Sequence, residues 1–246
     1  MSLITNNILK KKNIFISLFL AWLVHIFTAS GIVTGFLALI ATKNHDWKMA
    51  MFWLVIALII DGIDGFFARL IKAEENLPFM KGKNIDHVVD FVNYAFIPAF
   101  MFYEMSFVDD TWNLPLTFLI LLVSALYYGR ANMVTHDNYF IGFPVLWNMV
   151  LFYYIFITKY ESYHYIWITL LISILHFVPI KMAYPSQNSK NIIPTMIIFC
   201  IFVFTICAAI YYYPIKPFAL QISAYVVLGY FSILCVHDTW ISQKKS

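Results

Sequence analysis

Charge is the scarcest thing in this chain. Of its 246 residues only 12% are charged, about half the share of an average soluble domain, while 62% are apolar and 19% aromatic. Such a composition excludes a soluble globule. It also excludes a disordered segment, which needs high charge and low hydrophobicity. A nucleic-acid binder would carry a dense basic face, and the net charge here is only +3. Cysteine is nearly absent. Cys200, Cys207 and Cys235 stand in apolar runs without C-x-x-C or Cys/His spacing, which excludes a disulfide scaffold, a zinc site and a redox pair and leaves small core hydrophobes.

What the chain has instead is long apolar runs. Eight segments stand out: Ile14–Thr42, Trp47–Lys72, Asn84–Phe107, Trp112–Arg130, Phe143–Thr158, His164–Ile180, Asn191–Tyr213 and Pro217–Val236. Each span needs about 20 residues, so little remains for a separate soluble domain. The runs do not alternate as barrel strands do, and open sheets cannot face lipid. The expected fold is all-α, a polytopic transmembrane helix bundle of about eight spans, forming one membrane-embedded unit over residues 1–246. The first run follows Lys10, Lys11 and Lys12, as a signal peptide would, but at 29 residues it is longer than a signal peptide's apolar core. With eight spans, Lys43, Lys48, Lys159 and Lys216 fall on one side, and the other twelve of the 16 Lys and Arg residues fall with the termini. The positive-inside rule then puts both termini in the cytoplasm. No repeat of 20–50 residues is visible.

The chemistry gathers in one hairpin, about residues 47–107. The second run carries Asp61, Asp64 and Arg69, and the third carries Asp86 and Asp90. A carboxylate at membrane depth costs on the order of several kcal/mol unless paired or coordinated. Four of them exceed what one arginine can neutralise. Asp61 and Asp64 are i,i+3, and Asp86 and Asp90 are i,i+4, so each pair shares a helix face with its members about 4.5–6 Å apart along the axis. A tight turn through Lys72–Gly82 lets the pairs converge near the cytoplasmic side. Four hard oxygen donors repel one another unless a cation binds, and Mg²⁺ or Mn²⁺ suits them. A pair of ions would suit phosphoryl chemistry. Gly62 and Gly65 weaken their helix, while Gly65 and Ala68 offer a thin face to a flat ligand. Arg69 ends the run as a fork for phosphate oxygens. A cation channel or coupled transporter would spread ionisable groups through the bilayer depth and over several spans. A structural scaffold leaves the four carboxylates unexplained.

The string Asp61-x-x-Asp64-Gly65-x-x-Ala68-Arg69, followed by Gly82-x-x-x-Asp86-x-x-x-Asp90, resembles the signature of the CDP-alcohol phosphatidyltransferase family. The loop between Arg69 and Gly82 is longer than the common family spacing. The resemblance implies a helical membrane fold with its site open to the cytoplasm. It implies that Asp61, Asp64, Asp86 and Asp90 bind two divalent ions, Mn²⁺ or Mg²⁺, and that Asp90 is also the general base. Gly65, Ala68 and Gly82 would lie against the cytidine, and Arg69 would face the nucleotide phosphates. In the first run the family often has Asn-x-x-Thr-x-x-Gly. Here it reads His25-x-x-Thr28-x-x-Gly31, so Thr28 fits the nucleotide site and His25 departs from it.

The fragments HIFTASGIVTGFLAL, DGIDGFFARL, DHVVDFVNYAFIPAF and GFPVLWN, with Pro78 in the longer loop, resemble the bacterial branch that builds phosphatidylcholine. The implied reaction is CDP-diacylglycerol plus choline giving phosphatidylcholine and CMP, in the inner membrane, with membrane lipids around it, no nucleic-acid partner and homodimerisation open. Choline's quaternary ammonium cannot donate hydrogen bonds and is usually held by aromatic faces. Tyr94, four residues after Asp90, shares its face; Asn93 borders it, and Trp147 opens the fifth span. These three are the expected choline contacts. Serine as acceptor stays open, with Arg130 as partner for its carboxylate, and so does CDP-choline with diacylglycerol. A phosphorylated acceptor would need a further basic pocket.

Overall fold

The computed structural model describes residues 2–130, 133–135, 139–183 and 192–241, without the side chains of 2–14, 183 and 241. Lys190, Lys244 and Lys245, and the side chains of Lys10, Lys11 and Lys12, all counted above toward the cytoplasmic charge, lie outside that description.

The chain folds as a polytopic helical bundle. Helix α1 (Ser2–Lys43) has its apolar stretch at Phe15–Lys43. Helix α2 (Trp47–Ile71) starts at Asp46, whose carboxylate accepts the Met49 N–H at 3.0 Å as an N-cap. It ends at Lys72, which turns left-handed (φ 53°, ψ 50°) and returns its N–H to the Ala68 and Arg69 carbonyls. That cap finishes the helix just after Arg69 and starts the loop back, through the short helix α3 (Ala73–Asn76), to α4 (Gly82–Met105). Next come α5 (Asp110–Tyr128), α6 (Trp147–Ile157), α7 (Ser162–Leu175), α8 (Ile192–Tyr212) and α9 (Phe218–Trp240).

Six of these helices, α1, α2, α4, α5, α8 and α9, are long and apolar enough to cross a membrane. Helices α6 and α7 are apolar but shorter. At about 1.5 Å per residue both fall short of the roughly 30 Å hydrocarbon core. Each expected apolar segment is thus helical, but the sixth, expected to run to Ile180, stops at Leu175. There Gly142 (φ 86°) presses on the helix end so closely that a Cβ would lie 2.2 Å from the His176 carbonyl oxygen. The all-α expectation holds but for a small antiparallel ribbon, β1 (Tyr139–Ile141) with β2 (Lys181–Ala183), in which Tyr139 pairs with Ala183. The outer surface is apolar, with Phe204 73%, Trp167 68% and Leu122 63% exposed. Lipid, not water, suits such a surface, and the protein is an integral membrane protein.

Helix α1 packs along α2 and crosses α4. The crossing is set by small residues, as is common where van der Waals contact drives association in lipid. A Cβ on Gly31 would lie 2.6 Å from Val89 Cγ1, and one on Gly35 would lie 2.2 Å from Asn93 Oδ1. Asn93 closes the contact by donating its side-chain amide to the Gly31 carbonyl at 3.0 Å. This crossing fixes the height of α4 against α1 and α2, and so of the carboxylates that α4 carries.

Candidate active site

Helices α2 and α4 run from opposite ends of one loop, so residues near that loop meet. Asp61, Asp86 and Asp90 offer carboxylate oxygens that all lie within 4.8 Å of one another. All three are half-buried. The Oδ1 of Asp90 is shielded from solvent and has no hydrogen-bond partner among the described residues. Three carboxylates this close, one with an orphaned buried oxygen, form an electrostatically unfavourable group that a hard cation would relieve. The residues present therefore fit a divalent metal.

Asp64 lies outside that trio. It is 6% exposed, approaches Thr28 on α1, and lies within the field of Arg69. Its own charge still acts on Asp61, Asp86 and Asp90. The expected four-carboxylate cluster is thus a tight trio with Asp64 beside it, on the face that looks toward α1.

The expected nucleotide residues line the same side. A Cβ on Gly65 would approach Arg69 Nη1 to 3.3 Å, so the missing side chain leaves room for the guanidinium. Ala68 is half-buried and Arg69 exposed. Thr28 is buried and bonds the Val24 carbonyl at 3.3 Å. Gly82 opens α4 beside His25: a Cβ there would lie 3.4 Å from the imidazole Cε1. His25 is itself buried, with Nε2 unpartnered among the described residues. The loop after α3 and the start of α4 form an open cleft of about 510 Å³, lined by Glu74, Pro78, Met80, Lys81, Lys83 and Asn84. The cleft does not contain the carboxylates, but Lys83 on its wall acts on Asp86.

The three expected choline contacts separate. Tyr94 is buried and donates its phenol to Asp61 Oδ2 at 2.9 Å. It sits in a π-helical turn, Val92–Phe96, closed by the Ile97 N–H to the Val92 carbonyl. The turn has a local cause. Pro98 has no N–H to offer the Tyr94 carbonyl four residues back, and its ring would clash there, so the helix widens. Asn93 faces Gly31 in the helix crossing, as above. Trp147 is 1% exposed, donates its indole N–H to Ser124 Oγ at 2.9 Å and packs on His176 at 5.5 Å. Arg130 donates to the Ile141 and His176 carbonyls at 3.4 and 3.2 Å.

The sequence reading missed Tyr128 at this site and, elsewhere in the bundle, the buried amide of Asn148. Tyr128, the last residue of α5, packs on His87 and Phe91 of α4 at 5.9 and 6.0 Å between ring centroids. It comes from a different helix, so no spacing within the hairpin marks it. Its position at the site end of the fourth apolar run was the available signal. Asn148 is wholly buried in α6, and neither amide atom has a partner among the described residues.

Comparison with known proteins decides the family. Residues 13–179 match the family model described as CDP-alcohol phosphatidyltransferase. The chain belongs to the CDP-alcohol phosphatidyltransferase family. It is similar to a phosphatidylcholine synthase of Borreliella burgdorferi, 38% identical over 233 residues, which cover 93% of this chain and 97% of that protein. It is also similar to one of Mesorhizobium japonicum, 34% identical over 217 residues, covering 85% and 80%. One of Pseudomonas aeruginosa is 39% identical over 134 residues, covering 54% and 56%. As a CDP-alcohol phosphatidyltransferase the chain is an enzyme of phospholipid synthesis, in a family that uses divalent metals. The matched stretch contains the entire carboxylate hairpin together with the apolar part of α1 and all of α5, α6 and α7.

Proposed function

We propose that this phosphatidyltransferase is a phosphatidylcholine synthase that moves the phosphatidyl group of CDP-diacylglycerol to choline and releases CMP. The observation that carries the reading is the trio of Asp61, Asp86 and Asp90, bordered by the phenol of Tyr94. Relatives named phosphatidylcholine synthase, similar over most of the chain, support the acceptor. Arg130, which a serine carboxylate would require, is engaged with backbone carbonyls, and this favours choline over serine.

Asp61, Asp64, Asp86 and Asp90 would hold a pair of divalent cations, Mn²⁺ or Mg²⁺, which when bound neutralise a pyrophosphate and polarise the phosphorus under attack. The chain's own residues do the rest. Arg69 takes nucleotide phosphate oxygens as a planar fork. Thr28, Gly65, Ala68 and Gly82 leave a thin, close surface for the CDP moiety. Asp90 accepts the proton of the choline hydroxyl as its oxygen bonds to phosphorus. The bond from phosphorus to the CMP oxygen breaks, and CMP leaves as a phosphate monoester that needs no proton at neutral pH. A choline hydroxyl is a weak acid, so alignment and charge stabilisation contribute more than the base. The acyl chains stay in the bilayer, and the product lipid diffuses away laterally. The reading places the enzyme in the bacterial inner membrane with the site facing the cytoplasm.

The test is an acceptor panel. Purified protein is given CDP-diacylglycerol, Mn²⁺ and one acceptor at a time, and CMP and lipid product are followed. Choline-dependent CMP release with phosphatidylcholine formed is the expected result. Release with serine alone would overturn the choline reading and keep the family chemistry.

A further inference from the structure

We propose that Tyr128 is the acceptor-side wall of the site, holding the quaternary ammonium of choline beside Asp90. This rests on the choline reading above and goes further by naming the specificity residue. Tyr128 reaches the site from α5, across from the hairpin. Its ring packs on His87 and Phe91, 5.9 and 6.0 Å away. Those two residues flank Asp90 at positions −3 and +1, so Tyr128 covers the turn of α4 from which Asp90 projects. The charges of Asp90, Asp61 and Asp86 all act on its phenol, and Tyr128 in turn acts on Tyr94. Asp90 is therefore bordered by two tyrosines from two helices.

The two tyrosines differ in what they have free. Tyr94 is buried and its hydroxyl is committed to Asp61. Tyr128 is half-buried, its ring packs beside the turn that carries Asp90, and part of the side chain stays exposed. In choline the hydroxyl and the ammonium are separated by a two-carbon link, so the group that binds the cation must stand next to the group that receives the hydroxyl proton. An aromatic face near several carboxylates is a favourable place for a cation that cannot donate hydrogen bonds. Trp147, the other large aromatic on offer, is committed to Ser124 and His176.

The experiment compares choline with its neutral carbon isostere, 3,3-dimethylbutan-1-ol, on the purified enzyme and on Tyr128→Leu and Tyr128→Phe. Wild type should prefer choline. Tyr128→Leu should raise the choline KM about tenfold or more, leave the CDP-diacylglycerol KM within about twofold, and narrow the preference over the isostere. Tyr128→Phe, which keeps the ring, should restore most of that preference. If Tyr128→Leu does not accumulate, Tyr128→Met replaces it. An unchanged choline KM, or an equal loss toward both acceptors, would overturn the role of Tyr128 while choline remained the acceptor. A wild-type enzyme that ignores choline and uses serine would overturn the choline reading itself, so the two failures are distinguishable.

Discussion

Tyr94 donates its phenol to Asp61 Oδ2 at 2.9 Å and so ties α4 to α2 at the carboxylate trio. A hydrogen bond to a charged partner is worth about 1.5–3 kcal/mol. Tyr94→Phe keeps the ring and removes the bond, so it separates orientation of Asp61 from any aromatic contact. Turnover should fall about ten- to a hundredfold, and the Mn²⁺ concentration giving half activation should rise. A variant with wild-type metal activation would show that Asp61 needs no such anchor.

Asp90 has a buried oxygen without a partner among the described residues, and its charge acts on both tyrosines. Asp90→Asn keeps the shape and removes both the charge and the base. CMP release should fall by about 10²–10⁴-fold or more, while CDP-diacylglycerol still binds in a direct binding assay. Full activity in this variant would remove the base assignment.

Metal removal tests the trio without relying on turnover. Binding to the folded state alone stabilises it, by about 2.7 kcal/mol when the ion is at a hundred times its Kd. Mn²⁺ added to chelator-treated protein in detergent should therefore raise Tm, and Asp86→Asn should abolish that rise. An equal rise in the variant would place the ion elsewhere.

Arg69 is exposed at the end of α2, its guanidinium beside Gly65, where no side chain competes for the space. Arg69→Ala should raise the KM for CDP-diacylglycerol about tenfold or more, since charge-assisted bonds to phosphate are lost, with the choline KM little changed. An unaltered donor KM would remove its phosphate role.

Much of this was legible in the sequence because it is local. The helices follow from apolar runs, and the two carboxylate pairs follow from i,i+3 and i,i+4 spacing on one hairpin. The convergence of Asp61 with Asp86 and Asp90 needed only the turn between them. What escaped depends on the third dimension. Asp64 turns toward Thr28 because α1 happens to lie on that side. Asn93 faces Gly31 because the α1–α4 crossing is that close. Tyr128 belongs to a separate helix, and the ribbon pairs Tyr139 with Ala183, far along the chain. The π-helical turn at Tyr94 is an intermediate case, since Pro98 was in plain view and conflicts with the Tyr94 carbonyl for a reason any helix would share.

The α1–α4 crossing also makes a prediction about stability. Gly35 has no space for a side chain: a Cβ would lie 2.2 Å from Asn93 Oδ1 and 2.9 Å from Ile97 Cδ1. Both neighbours are buried, so neither can move aside cheaply, and overpacking of this kind costs roughly 1–3 kcal/mol. Gly229 in α9 has nothing among the described residues within 4 Å of a Cβ, and alanine there should stabilise the helix by roughly 0.5–1 kcal/mol. Thermal unfolding in detergent should therefore move in opposite directions, down for Gly35→Ala and up or unchanged for Gly229→Ala. Because Asn93 lies one turn beyond Asp90 on α4, Gly35→Ala should also lower CMP release in the fraction that stays folded. A Gly35→Ala protein with wild-type Tm would mean that the two helices do not cross this closely.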